Sequence, residues 1–155
     1  MSSRNFLVIV DGSKEMNIAI QFACARAKKT DGHIVLASFI KPIDVLTTKS
    51  VSDIMKNEAR DEAETMLHKA SAYIKEETGI TPTLHVREGD IIEELLKLIE
   101  VENNIAILIL AADIESKEGP GPIISSILAN NYKRLNIPVV IVPGNFSKDR
   151  IDQIG

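Results

Sequence analysis

Two stretches of the chain hold residues whose types and spacing suit them to chemistry. Asp11-Gly12-Ser13 places a carboxylate, a permissive backbone and a hydroxyl directly after the apolar run Asn5 to Val10. The second stretch, Ala111 to Ser126, reads AADIESKEGPGPIISS. It combines the acids Asp113, Glu115 and Glu118 and the base Lys117 with an alternating Gly119-Pro120-Gly121-Pro122 segment, and Ser125 and Ser126 follow. Glycines let backbone amides approach an anion, and hydroxyls in the first turn of a following helix can donate to it. Gly119, Gly121, Ser125 and Ser126 are therefore a candidate anion cradle, although alternating glycine and proline also simply make a turn. The acids oppose the cradle: one base against three acids gives the loop a formal charge of −2. That charge repels a triphosphate unless a divalent metal bridges carboxylate and phosphate.

Other chemistries find less support. His33, His68 and His85 are assigned to two different strands and a helix, without ligand spacing, so neither a metal site nor a catalytic base is expected. No G-x-S-x-G elbow presents a nucleophile. Cys24 is the single cysteine, which excludes an internal disulfide and makes a small buried apolar residue the natural reading. A phosphoacceptor receiver domain would need an acidic cluster after the first strand, an Asp ending the third and a Lys after the fifth. Here stand Asp11 alone, Val86-Arg87 and Pro143-Gly144. DGSKEM is neither a hydroxyl-rich flavin loop nor the Ser-Gly-Gly loop of adenylating enzymes.

The elements that must position these loops follow from periodicity. Asn5 to Val10 and Ile105 to Leu110 are continuous apolar runs, the pattern of parallel strands covered on both faces. His33 to Ile40 and Pro138 to Val142 read as further strands, and Thr81 to Val86, with Pro82 near its start, as a strand tolerated at an edge. Between them, Lys14 to Lys29 is a helix capped by Ser13 with Ile18, Phe22 and Ala25 on its stripe. A long helix runs to Thr78-Gly79 from a capping box at Ser50-Val51-Ser52-Asp53. Its inner face is assigned to Val51, Met55, Ala59, Ala63, Met66, Ala70 and Tyr73, and its acids are read as a solvated face. Asp90 and Glu93 cap a third helix. Pro122, with Gly121 as N-cap, opens a last one whose inner face would be Ile124, Ile127, Leu128 and Leu135. Lys41 to Ser50 is an irregular connection, for which the sequence does not decide between closing over the crevice and staying clear of it, and Gly144 onward is expected to be a polar tail.

This βαβαβαβαβ order predicts an α/β fold: one domain spanning 1–155, with a five-stranded, mostly parallel sheet and helices on both faces. The two most apolar strands, the first and fourth, should lie side by side at the switch point where strand order reverses. Ligands bind in such crevices, and the two chemical stretches would face one another there. The length of 155 residues and 45% hydrophobic content suit a single core, and a net charge of −4 gives no basic face for nucleic acid. No run is long enough to cross a membrane and no signal peptide is evident, so a cytoplasmic location is expected.

VIVDGSKEMNIAIQFACARA, HVREGDIIEELLKLIE, the AILILAAD strand end and the closing NIPVVIVPG together resemble the universal stress protein family along nearly the whole chain. The resemblance implies a Rossmann-like sheet ordered 3-2-1-4-5 and homodimers through the fifth strand, here Pro138, Val139, Val140, Ile141 and Val142. A hydrophobic edge strand independently invites such pairing, within limits set by Pro138 and Pro143. The resemblance also implies that some members bind ATP and others do not. In the binding members an Asp after the first strand, matched by Asp11, contacts adenine, and the end of the second strand, here Phe39 and Ile40, flanks it. Their phosphate loop follows G-x2-G-x9-G-[ST]. Counted from the fourth strand, the glycine positions here hold Ala111, Ile114 and Ile124, followed by Ser125. Counted back from Pro138, they hold Ala112, Glu115 and Ser125, followed by Ser126.

The expectation is therefore a non-catalytic stress-response module, homodimeric, acting through protein partners of unknown identity and binding ATP weakly or not at all. The alternative is a regulatory switch binding ATP or AMP with magnesium, using Asp11, Gly12 and Ser13 and taking phosphates on Gly119 to Pro122 and Ser125/Ser126.

Overall fold

Apolar residues on both sides of a strand leave it no face for water, and every residue of β1 (Asn5–Ile9) is buried. The computed structural model describes residues 4–42 and 48–155. Beside β1 run β2 (His33–Ile40), β3 (Thr83–Glu88), β4 (Ile105–Ala112) and β5 (Val139–Pro143), all parallel, in the order β3-β2-β1-β4-β5. The fold is thus an α/β five-stranded sheet of order 3-2-1-4-5 with helices on both faces. Alternate side chains serve opposite sides. Phe6 and Val8 pack with Ala19, Ala23, Leu67 and Ile74, from α1 (Met16–Thr30) and α2 (Lys49–Thr78). Leu7 and Ile9 pack with Leu95, Leu98, Ile123 and Ile124, from α3 (Ile91–Val101) and α4 (Pro122–Ser126).

Several local expectations are corrected. Ser13 does not cap α1: its N–H donates to Asp11 Oδ1 at 2.9 Å, and the helix begins at Met16 after Glu15. The cap of α2 is Thr48, whose Oγ1 accepts from Val51 N, so Ser50 and Asp53 lie inside the helix. Val51 and Met55 are exposed, and the inner face of α2 is Ala63, Leu67, Ala70 and Ile74. The first turns of this 30-residue helix bury none of their apolar side chains, so its apolar periodicity becomes a core face only from Ala63 on. β3 begins and ends two residues later than expected, and β4 continues through Ala112. Asp90 does cap α3, accepting from Glu93 N at 3.0 Å.

The last helix is not continuous. α4 passes into a π-helical turn at Ile127–Asn131 and a 3-10 turn at Tyr132–Arg134, which rotates Leu128 outward; the buried positions are Ile123, Ile124 and Ile127. Asn131 Nδ2 donates to Ser126 O and Oγ inside this turn, occupying groups that a regular helix would leave otherwise paired. The expected polar tail instead holds α5 (Lys148–Ile154), capped by Ser147, whose Ile151 is fully buried. Residues 43–47, within the irregular connection Lys41 to Ser50, lie outside the described residues.

Candidate functional site

At the carboxyl ends of β1 and β4, where strand order reverses, a crevice is lined by Asp11, Ser13, Ala111, Gly121 and Pro122, with Met16 at its side. Its open volume is about 40 Å³, far below the roughly 300–1,000 Å³ of small-molecule pockets and closer to room for a water. Four of the expected site residues meet here: Asp11, Ser13, Ala111 and Gly121. Gly119 stands close to Ser125, since a Cβ on Gly119 would lie 3.7 Å from Ser125 Oγ. Gly12 points elsewhere, with Met66 Sδ of α2 3.1 Å from where its Cβ would be.

Phe39 packs into the core beside α3, and the Ile40 carbonyl accepts from Gly89 N at 2.9 Å; neither lines the crevice. Ala112 accepts from Gly144 N and turns toward β5, and Ser126 is engaged by Asn131.

The loop after β4 is built on its own acids. Asp113 N–H donates to the Pro120 carbonyl at 2.9 Å, closing the loop. Asp113 Oδ1 accepts from the amides of Glu115, at 3.0 Å, and Ser116, at 3.1 Å. Ser116 Oγ accepts from Glu118 N. Amides that a glycine loop would turn toward a phosphate are here turned inward onto side chains. Gly119 and Gly121 have φ of 114° and 117°, a region closed to other residues, so both are required to bring the chain back to α4. Across the mouth, Lys14 Nζ meets Glu115 Oε2 at 2.8 Å, tying the loop after β1 to the loop after β4. That hydrogen bond, with the attraction of the carboxylate, holds the lysine above its ordinary value of 10.5.

The residues present do not fit a triphosphate. Asp113, the acid nearest the strand end, is already committed to two amides. Among the described residues no group of three His, Cys, Asp or Glu is placed to hold a metal ion. The Asx turn at Asp113 was legible in principle, because an Asp that opens a loop commonly bonds the amides after it. The Lys14–Glu115 pair had no sequence signal, since 101 residues separate its partners.

Comparison with known proteins bears on this arrangement. A family model described as the universal stress protein family matches residues 2–143. No curated protein sequence matches the chain significantly. Among solved structures, a universal stress protein from Lactobacillus plantarum aligns with a TM-score of 0.75 at 12% identity, over 92% of this chain and 99% of that one. One from Burkholderia pseudomallei gives a TM-score of 0.70 at 19% identity, over 92% and 97% of the two chains. A third, from Archaeoglobus fulgidus in complex with dAMP, gives 0.62 at 16% identity, over 92% and 99%. At these identities the likeness is one of fold.

Proposed function

Because the chain belongs to the universal stress protein family, we propose that it is a non-catalytic regulatory module of that family, homodimeric, with weak or absent ATP binding. The observation that carries this reading is the loop after β4. Its amides are bonded to Asp113 and Ser116, its formal charge of −2 opposes a phosphate, and the crevice beside Asp11 has an open volume of about 40 Å³. Signalling then runs through protein contacts rather than through turnover of a nucleotide.

A second reading has one specific support. The relative bound to dAMP carries a monophosphate, which asks less of a phosphate loop than ATP does. Asp11 together with Gly119, Gly121 and Ser125 could serve AMP without a glycine-rich loop.

Thermal melting with excess nucleotide and magnesium separates the two. A ligand at a hundredfold its dissociation constant adds about 2.7 kcal/mol, roughly 5–10 °C for a chain of this size. The first reading expects ATP–Mg at millimolar concentration to move Tm by less than about 2 °C. A larger shift with ATP or AMP that disappears in Asp11→Ala would replace it with the nucleotide switch.

A further inference from the structure

Helices α1 and α2 cover the same face of the sheet and leave between them a groove of about 430 Å³, within the range that holds small molecules. Ile20 and Ala70, 2% and 6% exposed, form its floor. Met16, Met66 and Tyr73 stand half-buried along its walls. Met66, Ala70 and Tyr73 follow one another a turn apart on α2, so the short side chain at the centre leaves a trough between two long ones. That trough covers two turns of helix, about 10 Å, which matches an extended acyl tail of medium length. Methionine side chains at its end can adapt to the shape of an apolar guest.

The charge around the groove has one sign. Lys69 is the only charged residue on the lining. Among the described residues it makes no ion pair, unlike Lys14, Lys28, Lys56, Lys97 and Lys148. A lysine stem lies readily along apolar surface with its ammonium at the rim. Glu77, beyond Tyr73 on the same helix, is already bound to Lys28 at 3.6 Å and to Lys148 at 3.2 Å. Tyr73 stays a neutral phenol, because burial, and after it the charge of Glu77, holds it above its ordinary value of 10.0. The lining therefore attracts an anion through Lys69 and carries no carboxylate to repel it.

An apolar trough with a single uncommitted cation at its rim suits an amphipathic anion. We propose that this groove binds a medium-chain carboxylate, its tail along Met16, Ile20, Met66 and Ala70 and its carboxylate on Lys69. The site is distinct from the nucleotide crevice but adjoins it. Met16 lines both, and Met66 Sδ lies 3.1 Å from where a Cβ on Gly12 would be. Binding here does not depend on whether the crevice takes a nucleotide.

Decanoate, kept below its micelle concentration, is the probe. Titrated into the full-length protein with isotopically labelled methionine methyl groups, it should shift the Met16 and Met66 resonances saturably. Met55, 43% exposed near the start of α2 and outside the groove, should not move. Decyltrimethylammonium, with the same tail and the opposite charge, should bind more weakly. Lys69→Glu, at an exposed position, should leave Tm unchanged and weaken decanoate binding several-fold, because an attracting charge becomes a repelling one. Ala70→Leu should fill the trough and abolish binding. Should that variant fail to fold, Lys69→Glu carries the test alone. No saturable shift through the low-millimolar range, equal movement of Met55, decyltrimethylammonium binding as tightly as decanoate, or unchanged affinity in Lys69→Glu would each overturn the assignment.

Discussion

Lys14 and Glu115 decide how the crevice presents itself, because their contact links two loops that a nucleotide would have to enter between. Both side chains are largely exposed, at 83% and 71%, so solvent screens the pair and its weight in stability is small. Its effect is on shape and charge. Lys14 is held above 10.5 by the hydrogen bond to Glu115, so the lysine is charged for the pairing at neutral pH, and its contribution is lost as pH rises through that elevated value. Asp113 does more, since its bonds to the following amides come with the loop's own fold. Neutralising Glu115 and Glu118 as Glu115→Gln/Glu118→Gln removes the net repulsion and leaves the Asp113 turn in place. ATP affinity, measured by calorimetry, is expected to rise several-fold, the size of two screened charges acting on phosphate at this range. No change would mean that occupied amides, rather than charge, exclude the nucleotide. Cys24 stands apart from such chemistry: burial pushes its thiol up to about 12, so it packs and does not react.

At the scale of elements, α5 is the clearest departure from expectation. Ile151 is fully buried against the body of the protein, and Lys29 Nζ donates to the Asp152 and Gly155 oxygens at 2.7 and 2.9 Å. Ile151→Ala is therefore expected to cost about 2–5 kcal/mol and lower Tm by roughly 10 °C, as read by circular dichroism. A drop of only a degree or two would mean that α5 is docked loosely. A second element-level link is the fork from Arg134 to Glu93, at 2.7 and 2.8 Å, joining the 3-10 turn to α3. The Arg134 hydrogen bond lowers the Glu93 carboxyl, and one from Lys148 lowers Glu77, each from 4.5. Carboxylates with depressed values stabilise the fold above their unfolded pKa and lose that contribution as pH falls through the folded value. Tm should thus stay level down to about pH 5 and decline below it, and less steeply in Arg134→Gln, because Glu93 then loses the partner that lowers it most.

These elements also mark what periodicity can and cannot say. Strands buried on both faces were legible because nothing but a two-sided core explains an unbroken run such as Ile105 to Leu110. Asp90 was legible as a cap because its partner amide is three residues away. Leu128 was not, since it sits in a π turn that inserts one residue, and the Asn131 side chain that bonds Ser126 there leaves no mark in the apolar pattern. Nor was α5, whose few apolar residues acquire meaning only from the surface of α1. The candidate crevice was found by position, through the rule that strand order reverses there. Its narrowing depends on hydrogen bonds within the loop that residue types alone do not declare.

For the whole molecule, the two edges of the sheet are treated differently. β3 opens after Pro82 and carries Arg87 and Glu88, charges that discourage another strand from adding to it. β5 reads VVIVP, without a charge, and Ile141 stands 40% exposed on it. The segment that leads into β5 exposes Leu128 and Tyr132 as well. An uncharged apolar edge beside further apolar surface is a hazard for a lone molecule unless something covers it. A second copy related by a two-fold axis would cover it with the same strand run antiparallel, so that each unpaired backbone group finds its symmetry mate. Pro138 and Pro143 bound the pairing at both ends and so favour a closed pair over an open fibre. Sedimentation at micromolar concentration is expected to show a dimer, and Ile141→Lys a folded monomer, because a charge placed opposite its own copy repels across the axis. A wild-type chain that sediments as a monomer would leave this edge to some other partner. An Ile141→Lys chain that remains dimeric would move the interface to another face.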